Sequence, residues 1–487
     1  MSTTALELLA SGVEALTSGD LDSASEAFTS AVELADLPAA RMFLGVLGFA
    51  DEDFAESQTQ WEQAFRAFKE AGDLPKAALA ATFLGSLHYD ALGNESASRG
   101  WLSRAGRLLD RCGRCVERGY FELALVACNV RDASALEESA AVALDLAIEF
   151  NDPDLEARAL ADGGLALISQ GMLGKGFARL DEAMAPVSSG EVRDPMMAGM
   201  IYCALLTACE RTGEMRRAEE WTRAASDFAA RRWSGKLPVL HAHCRLAYGT
   251  VLCDAGRWPE AEVEILEALG PSSSACVPKL ADAAGYLASL RIMQGRVDEA
   301  AELLAPYADR FEVCEPLARL HLVRGEFDLA AAVIARALHD LVGDRLRSGR
   351  LLRLLVDVEL ARGDVDAADR CAERLADYAD DSDSPILRAE SRLADGCVAS
   401  ARGETAAAVA SFEAGLDDLG VEERPALAAT IRRELASSLA DAGDKVRATD
   451  EARVALATFV RLGAERDVQQ ATALLERIGT SSAAARP

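Results

Sequence analysis

GDLDSASEAFTSA, Gly19–Ala31, returns in outline near the other end of the chain as GDKVRATDEARVA, Gly443–Ala455. In both, a glycine is followed at once by aspartate, and alanine stands five and twelve residues after the glycine. Glycine supplies the left-handed backbone that closes one helix, and the aspartate carboxylate bonds the free N–H groups that open the next. The stretch predicts a helical hairpin, with small alanines where two helices cross closely.

The same frame recurs throughout. Its clearest starts are Gly19, Gly213, Gly256, Gly295, Gly325, Gly363, Gly403 and Gly443, which place Ala24, Ala218, Ala261, Ala300, Ala330, Ala368, Ala408 and Ala448 at the fifth position. Degenerate copies start at Gly93 and Gly171, and two without the glycine start at Glu52 and Arg131. Nine residues into the frame stand larger apolar side chains such as Phe28, Trp61, Leu180, Ile265 and Phe412. Seven residues before it, glycine recurs at Gly12, Gly45, Gly164, Gly249 and Gly396. Twelve starts at intervals of about forty residues predict an all-α solenoid of about twelve hairpins, continuous over 1–478, with a disordered tail at 479–487. Proline and polar clusters at Pro38, Pro153, Pro195, Pro271, Pro385 and Pro425 fall between hairpins, where helices must stop.

Composition agrees. A chain of 487 residues exceeds what one hydrophobic core supports, so it is either several domains or an elongated array. Aromatic residues make up only 6% of it. With 51 Lys+Arg against 79 Asp+Glu, the net charge of −28 repels phosphate backbones and anionic lipid. Direct nucleic-acid binding and membrane association are therefore not expected. A protein or peptide partner, basic by preference, or a small effector fits better. There is no secretory signal in Met-Ser-Thr-Thr-Ala-Leu-Glu, no apolar span, and eleven scattered cysteines, which together point to a reducing cytoplasm.

The small–Gly–Ala–aromatic–Ala pattern resembles the tetratricopeptide repeat, with longer helices than its usual period. Three stretches carry a further resemblance: WLSRAGRLLDRCGRCVERGY (Trp101–Tyr120), CALLTACERTGEMRRAEEW (within Asp194–Glu220) and LPVLHAHCRLAYGTVLCDAGRWPEAEVEILEAL (Leu237–Leu269). Over residues ~100–340 the chain is similar to the MalT-like helical sensor region of actinobacterial LuxR-family transcriptional regulators. That family's ATPase and helix-turn-helix do not carry over. Gly174-Lys175 and Gly235-Lys236 lack the remainder of a phosphate-binding loop, and after Arg453 only one further helical segment remains. The resemblance implies a sensing part standing alone.

In this repeat geometry the first helix of each hairpin lines a concave groove. Its inward positions lie about thirteen, ten, six, three and two residues before the frame glycine. For Gly213 these are Met200, Cys203, Thr207, Glu210 and Arg211; for Gly256 they are His243, Leu246, Thr250, Cys253 and Asp254. Arg158 and Arg319 hold equivalent rows. Such a wall suits a peptide terminus or a polar ligand. The alternative is that Glu210, Arg211 and Asp254 form ion pairs between helices near the turn.

Cys203, His243 and Cys253 form the one combination with metal-ligand chemistry, although zinc sites normally show paired ligands at short spacing, and no metal or other cofactor is expected. Cys112-Gly113-Arg114-Cys115 is a lone C-x-x-C whose flanking Arg111 and Arg114 would lower the thiol pKa if they face it, making Cys112 and Cys115 oxidant-sensing candidates beside their reading as a hairpin end. The five histidines are scattered and none lies beside a recognisable nucleophile, so no catalytic residue is assigned and the chain is not expected to be an enzyme. The reading is of a non-catalytic scaffold or regulator that binds a protein or peptide in its groove. Homo-oligomer assembly through helical edges is compatible with it. The alternative is a stand-alone sensor of a small ligand or metal that acts on a separate transcription or signalling protein.

Overall fold

The computed structural model describes residues 3–127, 132–232, 238–270, 276–419 and 424–483. They form 25 α-helices with no strand among them, arranged as twelve hairpins and one closing helix, Glu465–Ala483. That helix carries the chain past Gly479, so residues 479–483 are helical; 484–487 lie outside the described residues, as do Arg131 and Pro271.

The turn within each hairpin follows the sequence frame. Gly19, Gly93, Gly171, Gly213, Gly256, Gly295, Gly325, Gly363, Gly403 and Gly443 all have positive φ, between 62° and 87°. Asp20, Asp364 and Asp444 cap the helices that follow them, each accepting from the backbone N–H three residues on. Glu52, the frame start without a glycine, is held at φ 59°. A left-handed residue with a Cβ costs about 1–2 kcal/mol, so Glu52→Gly is expected to stabilise the chain by about 1 kcal/mol. An unchanged or lower thermal midpoint would contradict this.

Packing explains the other recurrent positions. The frame alanines Ala24, Ala261, Ala300, Ala330, Ala368, Ala408 and Ala448 are completely buried. The glycine seven residues before the frame lies directly under the large residue nine after it: a Cβ at Gly12, Gly45, Gly249 or Gly396 would overlap Phe28, Trp61, Ile265 or Phe412 respectively. The third hairpin shows why its copy is degenerate. Its first helix ends in a π-turn, Leu87–Ala91, which inserts one residue. The glycine under Leu102 is accordingly Gly85, eight residues before Gly93. Pro38, Pro153, Pro385 and Pro425 each open a helix, where a missing N–H costs nothing.

First helices of successive hairpins pack on one another and make an inner wall, with second helices outside. The superhelix then meets itself about five hairpins further on. Ala133 N–H donates to Val342 O at 2.8 Å. The Gly171 carbonyl accepts from Asp383 N–H at 3.0 Å and from Ser382 Oγ at 2.8 Å. In return, Asp383 accepts from the backbone N–H groups of Leu173 at 2.6 Å and Gly174 at 3.0 Å. The Leu173–Ser189 helix has Met172 at its N-cap, with no side-chain cap of its own. Asp383 supplies that cap from the next superhelical turn.

Candidate ligand-binding cavity

Because the turns touch, the concave groove is a central cavity of about 1120 Å³. Every residue assigned to the groove from sequence lines it: Arg158, Cys203, Thr207, Glu210, Arg211, His243, Thr250, Asp254 and Arg319. The lining carries ten basic and eleven acidic side chains. Against 51 and 79 in the whole chain, the cavity is close to neutral inside an acidic shell. A partner is therefore selected there by local placement of charge rather than by net attraction.

One end is built around Lys279 and His243. Lys279 Nζ lies 3.0 Å from His243 Nδ1 and 3.6 Å from Asp282 Oδ2. His243 Nε2 lies 3.2 Å from the Cys203 carbonyl and 3.1 Å from Thr207 Oγ1. Since a carbonyl only accepts and an ammonium only donates, Nε2 carries the proton and Nδ1 accepts from Lys279. Burial, reinforced by the neighbouring ammonium, pushes His243 down to about 3. The imidazole is neutral at physiological pH and serves to aim Lys279. Both ring nitrogens are thereby occupied, and His243 faces the carbonyl of Cys203 rather than a thiol. Burial raises the thiols of Cys203 and Cys253 to about 11 and about 12. Among the described residues no group of three or more His, Cys, Asp or Glu side chains is placed to hold a metal ion.

Asp90, delivered by the π-turn, and Asp282 line the same end. Burial raises both to about 6, against the pull of Lys279. A carboxylic acid whose folded pKa is raised binds its proton more tightly in the fold, so its contribution is most favourable near pH 4 and falls as pH rises through about 6. Asp90→Asn should therefore stabilise the chain at pH 7.5 by on the order of 1–2 kcal/mol, with the gain fading by pH 5. Melts in which the gain does not depend on pH would refute this.

Glu210, Arg211 and Asp254 divide between the two readings. Arg211 donates to Ser169 Oγ of the neighbouring hairpin and lies 3.5 Å from Asp344 across the superhelical turn. Asp254 pairs with Arg424 at 2.8 Å, again between turns. These two are clamps that hold the cavity closed. Glu210 pairs with neither; it accepts from the Tyr286 hydroxyl inside the cavity. Of the others, Arg158 pairs with Asp162 at 2.8 Å and Arg319 with Glu315 at 3.2 Å, each one helical turn away, and the Thr250 hydroxyl bonds back to Leu246 O.

Residues 9–64, which span the first two hairpins, match the family model described as tetratricopeptide repeat. The fold is an all-α solenoid of tetratricopeptide-like helical hairpins. Among solved structures it is similar to the APC/C hetero-tetramer Cut9-Hcn1 (14% identity, 98% of this chain and 96% of that chain, TM-score 0.41). It is also similar to yeast Tom70 (13%, 96% and 96%, TM-score 0.34) and to the human IFIT1 dimer with m7Gppp-AAAA (15%, 66% and 72%, TM-score 0.37). A search of curated proteins finds no match.

Away from the cavity of this solenoid, Cys112 and Cys115 are free thiols at the end of a hairpin helix. Arg114 does not activate them, because it is bound to Asp145 at 2.7 Å and to Glu149. Burial moves Cys115 up rather than down. No helix of the described residues is long and apolar enough to cross a membrane.

The sequence reading passed over a second set of lining residues on one helix, Arg345–Arg362: Arg347, Arg350, Arg353 and Asp357. The signal was available. Thirteen, ten and six residues before Gly363 stand Arg350, Arg353 and Asp357.

Proposed function

We propose that this chain is a non-catalytic binding scaffold or regulatory protein whose central cavity receives a segment of a protein or peptide partner. The observation that carries the reading is the convergence of polar residues from separate hairpins on one long, nearly neutral cavity within an acidic surface. Its volume of about 1120 Å³ lies above the roughly 300–1,000 Å³ of pockets for drug-sized ligands, which favours an extended peptide over a single metabolite. The central stretch resembling the LuxR-family sensor region supports a regulatory setting in the cytoplasm, with action passing through another molecule.

A photo-crosslinking residue placed at Thr207, inside, and separately at Val454, on an exposed outer face, tests this in cell extract. The expected result is a defined peptide crosslinked from position 207 and none from 454. Equal capture from both, or none from 207, would refute it. The second reading, a small-ligand sensor, is favoured by the contacts between turns that close the cavity sideways. Native mass spectrometry showing a small bound mass in place of a crosslinked peptide would decide for it.

A further inference from the structure

We infer that Arg350 and Arg353, with Arg319 on the neighbouring inner helix, form an oxyanion subsite that takes a carboxylate or phosphate group of the cavity's ligand. The inference rests on the cavity being the binding site, and it names the chemistry recognised at one part of it.

Donor accounting carries the argument. A guanidinium offers five N–H donors. Arg350 uses one, a 3.4 Å bond from Nη2 to the Arg211 carbonyl, and among the described residues no carboxylate lies within ion-pair distance of it. Arg353 is only 8% exposed. Its Nη1 bonds Asp357 at 2.7 Å, its Nη2 reaches only the Cys397 sulfur at 3.9 Å, and its Nε has no hydrogen-bond partner. The two arginines stand at i and i+3 on one helix face, so their guanidinium groups point into the cavity side by side. Leaving charged donors in a buried site unfilled costs more than an ordinary lost hydrogen bond.

The nearby carboxylates do not fill the gap. Glu210 is engaged by Tyr286, Glu315 by Arg319 and Asp254 by Arg424. Glu390, 3.7 Å from Arg353 Nε, makes no hydrogen bond to it, and burial holds its carboxyl above the usual range even against Arg353, Arg319 and Arg350. Two oxygens of a carboxylate or phosphate match the paired N–H donors of a guanidinium, which gives such a group a bidentate fit.

Calorimetric titration of the full chain with potassium phosphate and, separately, potassium glutarate, each against potassium chloride of equal ionic strength, tests this. Saturable binding of one probe, with Kd at least tenfold weaker in Arg350→Gln and in Arg353→Gln, is expected, and the probe that binds names the class. No saturable binding of either, or unchanged Kd in both variants, overturns the subsite. Should Arg350→Gln fail to fold, phenylglyoxal labelling of the unmodified chain replaces it. Arg350 must then label more slowly in saturating phosphate or glutarate, and equal rates overturn the subsite. If the anions fail while Thr207 still crosslinks a peptide, the subsite alone is lost; if both fail, the cavity reading falls with it.

Discussion

Phe412→Ala is expected to destabilise the C-terminal hairpins by about 3–5 kcal/mol, the range for truncating a fully buried phenylalanine. Phe412 is 0% exposed, and its ring lies on the bare backbone of Gly396 in the facing helix. Because the facing position has no side chain, nothing on that helix can move in to fill the space. Gly396→Val approaches the same interface from the other side: the added atoms would occupy the ring's position, and overpacking adds about 1–3 kcal/mol or more. In a solenoid each hairpin leans mainly on its neighbours, so the loss should appear as a separate, earlier transition of residues 385–483 rather than a uniform shift. Urea unfolding with hydrogen exchange reads both effects. A loss below 1 kcal/mol, or one spread evenly along the chain, would show that this contact is not the unit of packing described above.

Asp344→Ala should cost a similar about 3–5 kcal/mol, the range for removing one partner of a buried ion pair. Asp344 has no exposed side-chain surface. It caps its helix through the Arg347 N–H at 2.9 Å, bonds the Arg347 guanidinium at 2.7 Å and lies 3.5 Å from Arg211 of the other turn. Alanine would remove the cap and leave two cations facing one another. Asn should restore the cap, worth about 1 kcal/mol, but not the charge. Burial acts to raise the Asp344 pKa, yet Arg347 and Arg211 outweigh it, and the carboxyl is held below its ordinary value. Its stabilisation is therefore present above pH 4 and lost as pH falls through the lowered pKa. Denaturation at pH 7 and at pH 3 should show the mutant's deficit shrinking with acid. An Asn variant as stable as the parent would contradict the electrostatic part.

Much of the fold was legible because it is written locally. A frame of glycine, cap and alanine acts within one hairpin, and every such glycine among those named has the positive φ its position demands. Even the missing glycine was readable: Glu52 sits in the left-handed region all the same. The inward rows were legible for the same reason, since spacing back from the turn places a side chain on one helix face. The rule applied to Gly363 and Gly403 would also have found Arg350, Arg353 and Glu390.

Closure of the superhelix was not legible. It depends on Ser382 and Asp383 meeting Gly171, Leu173 and Gly174 more than two hundred residues away in sequence, and no period in the sequence encodes that meeting. For this reason the sequence left Arg211 and Asp254 open between groove and ion-pair roles; both line the cavity and also pair between the turns. Asp90, three residues before Gly93, and Asp282, thirteen before Gly295, stand on the same inward rows and were within reach of the same rule.

All the site chemistry depends on that closure, and a spin-label distance measurement between Lys175 and Asp381 tests it most directly. Both side chains are exposed and flank the Asp383 cap joining the turns. The closed superhelix predicts one narrow distribution below about 25 Å, allowing for the label tethers. An open solenoid, with five hairpins separating the sites at about 10 Å each, would place the distribution near 50 Å or beyond, and that result would contradict the account.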